Sequence, residues 1–504
     1  MMKYGVVDLG SVELRMSIVE VYENGTYFLQ EEFVEPVKNA IDLCQDNLVK
    51  PNKIKNIISC LKAFRGICEA EEVVNFIAYC SCEYKEAKNQ RSFLEELYNQ
   101  SGFKFEILEP EAQLNYGYGA VINSIDIPKG ILIDIEGNTT HVICFNRRNI
   151  INKAYFDFGA MNLAEKFCND NLNSKELLEK VRNLVFDEVK KCDWLLGVDP
   201  ETQIIGMGYN FLSIGKLARK IKKYPYDKEH NYKMSREEFD GVYNFLQTLE
   251  IDKTKKMKGI SSERADSLAC ACAILKAFFD FTQNPCCVIS KKAQLEGYAL
   301  SLAMPSQYDK PIADILGYSL TRQNDKFNNY SKNTETINNL SLILFKQLKV
   351  LHKLSRTYVK VLRVASSMHD CGKRIASENY EKNGFSVVLN SDINGVTHRE
   401  QVLAGFVVAS QNLDDFNMID WLRYKDLFVE EDLEAVRKLA VIVKLANLLD
   451  RFSKGRVLDI SCDILGDSVI MKTITEEPAD MEIKEGIKAE TDFKRAFKKC
   501  LEIL

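Results

Sequence analysis

Hydrophobic and polar positions along the first 150 residues fall into a pattern that occurs twice. Residues 4–9, YGVVDL, form an apolar run interrupted by Asp8; Gly10 then supplies a turn, and Leu14, Met16 and Ile18 recur at period two. This predicts a strand, a tight bend carrying a carboxylate, and a second, half-buried strand. Residues 130–145, GILIDIEGNTTHVICF, repeat the arrangement around Asp134 and Gly137. ENGTY at 23–27 and NRRNI at 146–150 are hairpin signals, so each copy predicts a three-strand meander. Two copies predict a duplicated α/β fold whose halves continue in alternating helices and strands.

Past the first meander, Ile54, Ile57, Ile58, Leu61 and Phe64 share one helical face. VVNFIAY (73–79) reads as a buried strand, residues 84–102 as a helix stopped at Gly102, and FKFEIL (103–108) as a further strand. In the second half the pattern predicts a helix from Ser174 to Leu196, the strand QIIGMG (203–208), a capping box from Ser235 to Glu238, a helix from Ser262 and the strand CCVIS (286–290). After Met304 the chain becomes polar and turn-rich, then shows helical periodicity from Thr334 to Phe452. The tail predicts a strand pair around SVIMKTIT and a last helix, DFKRAFKKCLEIL. The expected domains are 1–125 and 126–304 for two lobes, 305–460 for a helical domain and 461–504 for a small α/β segment.

A chain of 504 residues exceeds one ordinary core, and 46% hydrophobic with 28% charged residues is a globular composition. The net charge of -5, with no segment concentrating Lys and Arg, argues against a general binder of nucleic-acid duplexes. Neither an N-terminal apolar segment nor an apolar run of about 18 residues is present, so no membrane span or secretory signal is expected. Fifteen scattered cysteines without CxxC spacing fit a reducing, cytoplasmic setting. The vicinal pair Cys286 and Cys287 reads either as redox-active or as a buried strand position.

Asp-x-Gly at a strand end is first of all a hairpin signal. Two such turns facing each other across a cleft do more. They bring backbone N–H groups to an anion and place two carboxylates, Asp8 and Asp134, where a hydrated divalent ion can neutralise phosphate oxygens.

Further matches follow in a fixed order: DLGS at 8–11 with Arg15, EAKN at 86–89, EPEAQLNYGYG at 109–119, DIEGNTT at 134–140, FGAMNLAEKF at 158–167, GMG at 206–208, ERAD at 263–266 and EGY at 296–298. In these segments the chain resembles the exopolyphosphatase and guanosine pentaphosphate phosphatase (Ppx/GppA) family. The resemblance covers residues 1 to 303 and implies an actin-like two-lobe fold of the ribonuclease H-like, sugar kinase, Hsp70 and actin type. It implies hydrolysis of a terminal phosphoanhydride in polyphosphate or in the guanosine pentaphosphate alarmone, with magnesium as cofactor and a homodimeric assembly. It places Glu111 as the carboxylate that orients or deprotonates the attacking water, Asp8 and Asp134 at the metal, and Gly10, Ser11, Arg15, Gly137, Asn138, Thr139 and Gly208 at the phosphates. Read without the resemblance, Glu111 is first a solvated residue at a helix N-terminus, where a carboxylate also suits the dipole.

The phosphate-facing turns depart from the family pattern at Val12, Glu13, Glu136, Tyr209 and Asn210. Added negative charge there implies either a substrate that arrives with a bridging cation or a protein that senses an anion or nucleotide without turnover. A sugar-kinase-like phosphotransferase on the same scaffold is a third reading, with an adenosine pocket expected near Gly208. In the helical region MHDCGK (368–373) is expected on a helix and resembles an HD-type site, which implies His369, Asp370 and His398 as remnants of a metal centre. Asn333 and Asn447 stand where ligands are expected, with Asp450 one turn later, so the site reads as degenerate. His352 reads as a core histidine, His230 as solvated, and the strand register leaves His141 open to either side.

Overall fold

The computed structural model describes the chain apart from residues 169, 171, 200–201, 249–264 and 327–332. It divides into two compact units, Met1–Ile315 and Leu316–Leu504. The first unit contains two sheets. In one, β1 (Met2–Leu9), β2 (Glu13–Val21), β3 (Tyr27–Pro36), β4 (Asn75–Cys80) and β5 (Phe105–Ile107) lie in the order β3-β2-β1-β4-β5. In the other, β6 (Lys129–Ile135), β7 (Thr140–Asn146), β8 (Asn149–Phe156), β9 (Gln203–Met207), β10 (Tyr232–Ser235) and β11 (Cys286–Ile289) lie in the order β10-β11-β9-β6-β7-β8.

Both sheets share one plan. An antiparallel meander leads, its first strand pairs in parallel with the next strand after a helix, and a further parallel strand follows. The expected duplication is therefore present, with β10 added as an antiparallel edge strand on β11 that the pattern did not reveal. This is the two-lobe actin-like architecture.

Periodicity explains the elements. Ile54, Ile57, Ile58, Leu61, Phe64 and Cys68 are the buried stripe of the helix Pro51–Ala70, which starts with Pro at its first position. Removing each of these side chains from water contributes on the order of 2 kcal/mol. The helix expected over 84–102 begins later, at Gln90, and ends at Ser101 with Gly102 left-handed at φ 76°. Its first residues form a 3₁₀ turn, Cys82–Glu86, because Asn89 is pinned to Val49 through both backbone groups and Tyr84 is buried. Likewise Ser174–Val189 stops short of Leu196, and a separate turn, Asp193–Leu196, follows. Ser235 and Glu238 exchange the reciprocal hydrogen bonds of a capping box at the helix Arg236–Thr248. The expected helix start at Ser262, together with Glu263 and Arg264, lies outside the described residues; the helix is described from Ala265, and of Asp266 only the backbone.

One boundary differs from expectation. The helix Pro110–Ile122, placed by sequence in the first lobe, sends Leu114, Tyr118, Val121 and Ile122 into a core made with Leu132, Ile143, Phe145, Ile205, Met207 and Val288 of the second sheet. His230, expected in solvent, is buried, and its Nδ1 accepts a hydrogen bond from Lys291 N at 3.3 Å. Cys286 and Cys287 are buried in β11, and burial raises both thiols, which fits the strand reading rather than redox chemistry.

The second unit is built on helices that include Thr334–Gln347, Tyr358–Ser367, Tyr380–Asn390, His398–Ala409 and Asp432–Leu449. A sheet of β12 (Val457–Ile464), β13 (Ser468–Thr475) and β14 (Cys500–Ile503) completes it. The expected last helix ends at Phe497. Lys498 turns left-handed at φ 59°, and CLEI then pairs in parallel with β13, burying Leu501 and Ile503 and leaving Glu502 exposed. His352 is the expected core histidine, stacked on Phe345 with its Nε2 2.7 Å from the Phe345 carbonyl. Among the described residues no helix is long and apolar enough to cross a membrane.

Candidate functional site

The duplicated turns meet. In the first, Gly10 N donates to Glu13 O at 2.9 Å; in the second, Glu136 N donates to Thr139 O at 2.9 Å. Register sets Asp8 opposite Arg15 on β2 and Asp134 opposite His141 on β7, so the two hairpins are equivalent residue by residue. A Cβ on Gly137 would stand 2.9 Å from Ala40 Cβ, 3.2 Å from Val12 Cγ2 and 3.3 Å from Ser11 Oγ, which only glycine accommodates at so close a packing of the two turns. Asn138 adds a cross-link, its Nδ2 donating to Ala40 O at 3.1 Å.

Between the turns lies a cavity of about 360 Å³. Asp8, Gly10, Ser11, Arg15, Asp134, Gly137 and Gly208 line it, together with Val12, Glu13, Glu136, Tyr209 and Asn210. Asn138 and Thr139 stay behind the second turn, where the Thr139 hydroxyl donates to Glu136 Oε2 at 3.2 Å. Gly208 is required at its place: its φ is +85°, and a Cβ would stand 2.6 Å from Asp134 Oδ1. The other Asp134 oxygen accepts from Gln294 Nε2 at 2.9 Å.

Glu111 is elsewhere. It lies in the first turn of the helix Pro110–Ile122, 72% exposed, with its carboxylate 2.8 Å from Lys153 Nζ, and it does not line the cavity. The residue that faces inward from this helix is Gln113, whose Nε2 donates to Glu136 Oε1 at 2.6 Å while its Oε1 accepts from Cys82 N at 3.2 Å. Two positions along a helix turn the side chain by about 200°, so one of the pair must point away. Of the three expected carboxylates, the structure brings Asp8 and Asp134 to the cavity and leaves Glu111 outside it.

The electrostatics are dominated by carboxylates. Asp8, Glu13, Glu32, Glu83, Asp134 and Glu136 line the cavity against Arg15 and Lys291. Burial pushes Asp8 up to about 7 against the pull of Arg15, with Glu136 and Glu296 adding to the rise. Asp134 is driven well above the carboxylate range, by burial first and then by Glu136, although Gln294 stabilises its charged form. Burial also raises Glu136 against its hydrogen bonds to Gln113 and Thr139. Arg15 keeps its proton despite burial, held by Glu296, Glu32 and Asp8, with its Nε 3.0 Å from Glu32 Oε1. His141 is lowered to about 4 by burial, so it brings no positive charge at neutral pH.

Glu83 was not found from the sequence. It belongs to the 3₁₀ turn after β4, lines the cavity, and is raised to about 7 by burial and then by Glu136. Tyr79, two residues after Ile77 on β4, also reaches the cavity; its ring stacks on Tyr298 at 4.8 Å. A cluster of buried acids with so little positive charge fits a cation, and Asp8 and Asp134 are the carboxylates nearest the strand ends where a divalent ion would meet phosphate oxygens. Among the described residues no three His, Cys, Asp or Glu side chains converge as a ligand set. Two carboxylates completed by water and phosphate oxygens match the way magnesium is held.

In the second unit MHDCGK lies past the end of the helix Tyr358–Ser367 rather than on it. His369 Nδ1 donates to Ser366 O at 2.9 Å, and burial keeps the ring neutral. Its Nε2 is 3.9 Å from Asp370, which pairs with Lys373 at 3.2 Å. His398 is buried at the first position of its helix, behind the capping box of Thr397 and Glu400. Asn333 Nδ2 donates to Asp450 O, and Asp450 Oδ1 accepts from the Lys454 and Gly455 backbone. Asn447 is buried on the helix Asp432–Leu449, and among the described residues no metal-ligand set forms.

Comparison with known proteins places this architecture. Among solved structures, a Ppx/GppA family member from Aquifex aeolicus aligns over 61% of this chain and 99% of its own, with a TM-score of 0.52 at 18% identity. An exopolyphosphatase from Cytophaga hutchinsonii aligns over 61% and 99% with a TM-score of 0.56 at 16% identity. These likenesses concern the fold. Retrograde regulation protein 2 of Saccharomyces cerevisiae is 27% identical over 149 residues, and the match spans 27% of this chain and 25% of that relative's length. The profile of the Ppx/GppA phosphatase family matches residues 34–305, and that of Ppx/GppA phosphatase domain III matches residues 318–480. With a family match over more than half its length, and with two Asp-bearing turns closing on one cavity, the chain belongs to the Ppx/GppA phosphatase family.

Proposed function

We propose that the protein hydrolyses the terminal phosphoanhydride of a metal-complexed polyphosphate, either inorganic polyphosphate or guanosine pentaphosphate, and releases phosphate. The observation that carries this reading is that Asp8 and Asp134, from equivalent strand ends, face one cavity together with the Gly10, Ser11 and Gly137 backbone. Asp8 and Asp134 would hold a magnesium ion, which when bound supplies charge neutralisation for the phosphate oxygens. Arg15 would meet the anion from the first turn, and the amides at the two bends would orient its terminal phosphate. Glu13 and Glu136 repel a bare polyanion, so the substrate is one that arrives carrying cations.

Phosphate release from both substrates, with magnesium present and after chelation, tests the reading. Release that chelation abolishes, and that Asp134→Asn removes, is expected. A second reading, an anion- or nucleotide-sensing protein without turnover, is favoured by one observation: Glu111 stands outside the cavity, paired with Lys153. Tight magnesium-dependent binding of either compound without release would select it.

A further inference from the structure

We infer that Glu83, rather than Glu111, is the carboxylate that takes the proton of the attacking water in this cavity, an inference that rests on the hydrolase reading above. The position is the first argument. Glu83 lines the cavity from the Cys82–Glu86 turn, and both the Ser11 side chain of the first turn and the Asn138 backbone of the second act on its carboxyl. It therefore stands where the two anion-facing turns meet. Ser81 Oγ approaches its Oε2 at 3.5 Å, whereas Oε1 is buried with no hydrogen-bond partner in the chain. A buried carboxylate oxygen without a partner is costly unless water or a ligand completes it. A water held there would lie between both turns.

The second argument is chemical. The charged and titratable groups that face Glu83 are Glu136 and His141 from the second hairpin, with its neighbours Cys82 and Tyr84. His141 is neutral there and Glu136 is a like charge; Ser11 and the Asn138 backbone favour the ionised form of Glu83, but burial and Glu136 outweigh them. Burial brings it to about 7, where a carboxylate accepts a proton most effectively at neutral pH. Glu111 is the opposite case, lowered by its Lys153 hydrogen bond and largely exposed.

The step balances. Water oxygen bonds to the terminal phosphorus while the bridging P–O bond breaks, its electron pair leaving on the shortened chain. One water proton passes to Glu83 and then to solvent, and the other stays on the released phosphate.

The test is steady-state phosphate release from magnesium tripolyphosphate by the full chain, with kcat and KM followed across pH for the parent protein, Glu83→Gln, Glu83→Asp and Glu111→Gln. Glu83→Gln is expected to lower kcat by about 10²–10⁴-fold with KM little changed. It should also remove the rise in rate centred near pH 7, and Glu111→Gln should lose at least about tenfold less. Glu83→Asp keeps the charge and should recover part of kcat and the rising limb. An active parent whose Glu83→Gln variant keeps its rate and pH profile, or whose larger loss follows Glu111→Gln, overturns the inference and leaves the hydrolase reading standing. A parent that binds tripolyphosphate but releases no phosphate overturns both.

Discussion

Opposite Asp8 the first hairpin carries Arg15, and at the bend it carries Gly10; opposite Asp134 the second carries His141, and at the bend Glu136. The backbones match, down to the turn hydrogen bond of 2.9 Å. The charges do not. Arg15 retains its proton in the buried setting, while His141 is held neutral and Glu136 adds a second acid beside Asp134. The first hairpin thus pairs its buried acid with a charged Arg15, and the second sets Glu136 beside Asp134 with only a neutral His141 opposite. One backbone frame carries two charge patterns.

The largest effect that would break this contrast is at Gly208. Alanine there faces a φ of +85° and a contact of 2.6 Å with Asp134 Oδ1, so the Asp134 carboxylate must move. Phosphate release by Gly208→Ala should fall about 10–100-fold, and that by Gly10→Ala, where the added Cβ meets only Glu13 O at 3.2 Å, by much less. Denaturation comes next. Arg15→Ala strands Glu32 and Asp8 and should cost about 3 kcal/mol, measured by urea unfolding. His141→Ala, which removes a neutral ring stacked edge-on against Tyr155, should cost about 1–2 kcal/mol.

The acids give the pH dependence. Asp8 and Glu83 bind protons more tightly folded, near 7 each, than their ordinary values of 3.8 and 4.5 allow in the unfolded chain. Between those ordinary values and 7 the folded state holds more protons, so metal-free stability should fall as pH rises through this window and level off above it. Glu83→Gln should flatten that fall by roughly 2 kcal/mol in thermal unfolding followed across pH. The smallest effect sharpens the comparison: Glu136→Gly gives the second bend the residue the first has. Removing the like charge beside Asp134 should tighten binding of magnesium tripolyphosphate roughly tenfold, read by calorimetry.

The paired strands were legible because their patterns are local: Leu14, Met16 and Ile18 alternate, and Ile131 to Ile135 form a short buried apolar run broken only by Asp134. The helical stripe of Ile54 to Phe64 was legible for the same reason. Glu111 was not, since the helix Pro110–Ile122 is buried on most sides and its pattern does not say whether position 111 or 113 meets the cavity. Glu83 was invisible because its partners, Ser11 and Asn138, are joined to it only by the fold. CLEI passed for helix because four residues cannot separate the two periods until the left-handed Lys498 is known.

Whether both halves grip one ligand is read from calorimetric binding of magnesium tripolyphosphate to Asp8→Asn, Asp134→Asn and the double variant. Joint grip predicts non-additive losses, the double variant binding about as weakly as the weaker single variant. Losses that add in full would mean that Asp8 and Asp134 serve separate sites and would overturn the joint grip.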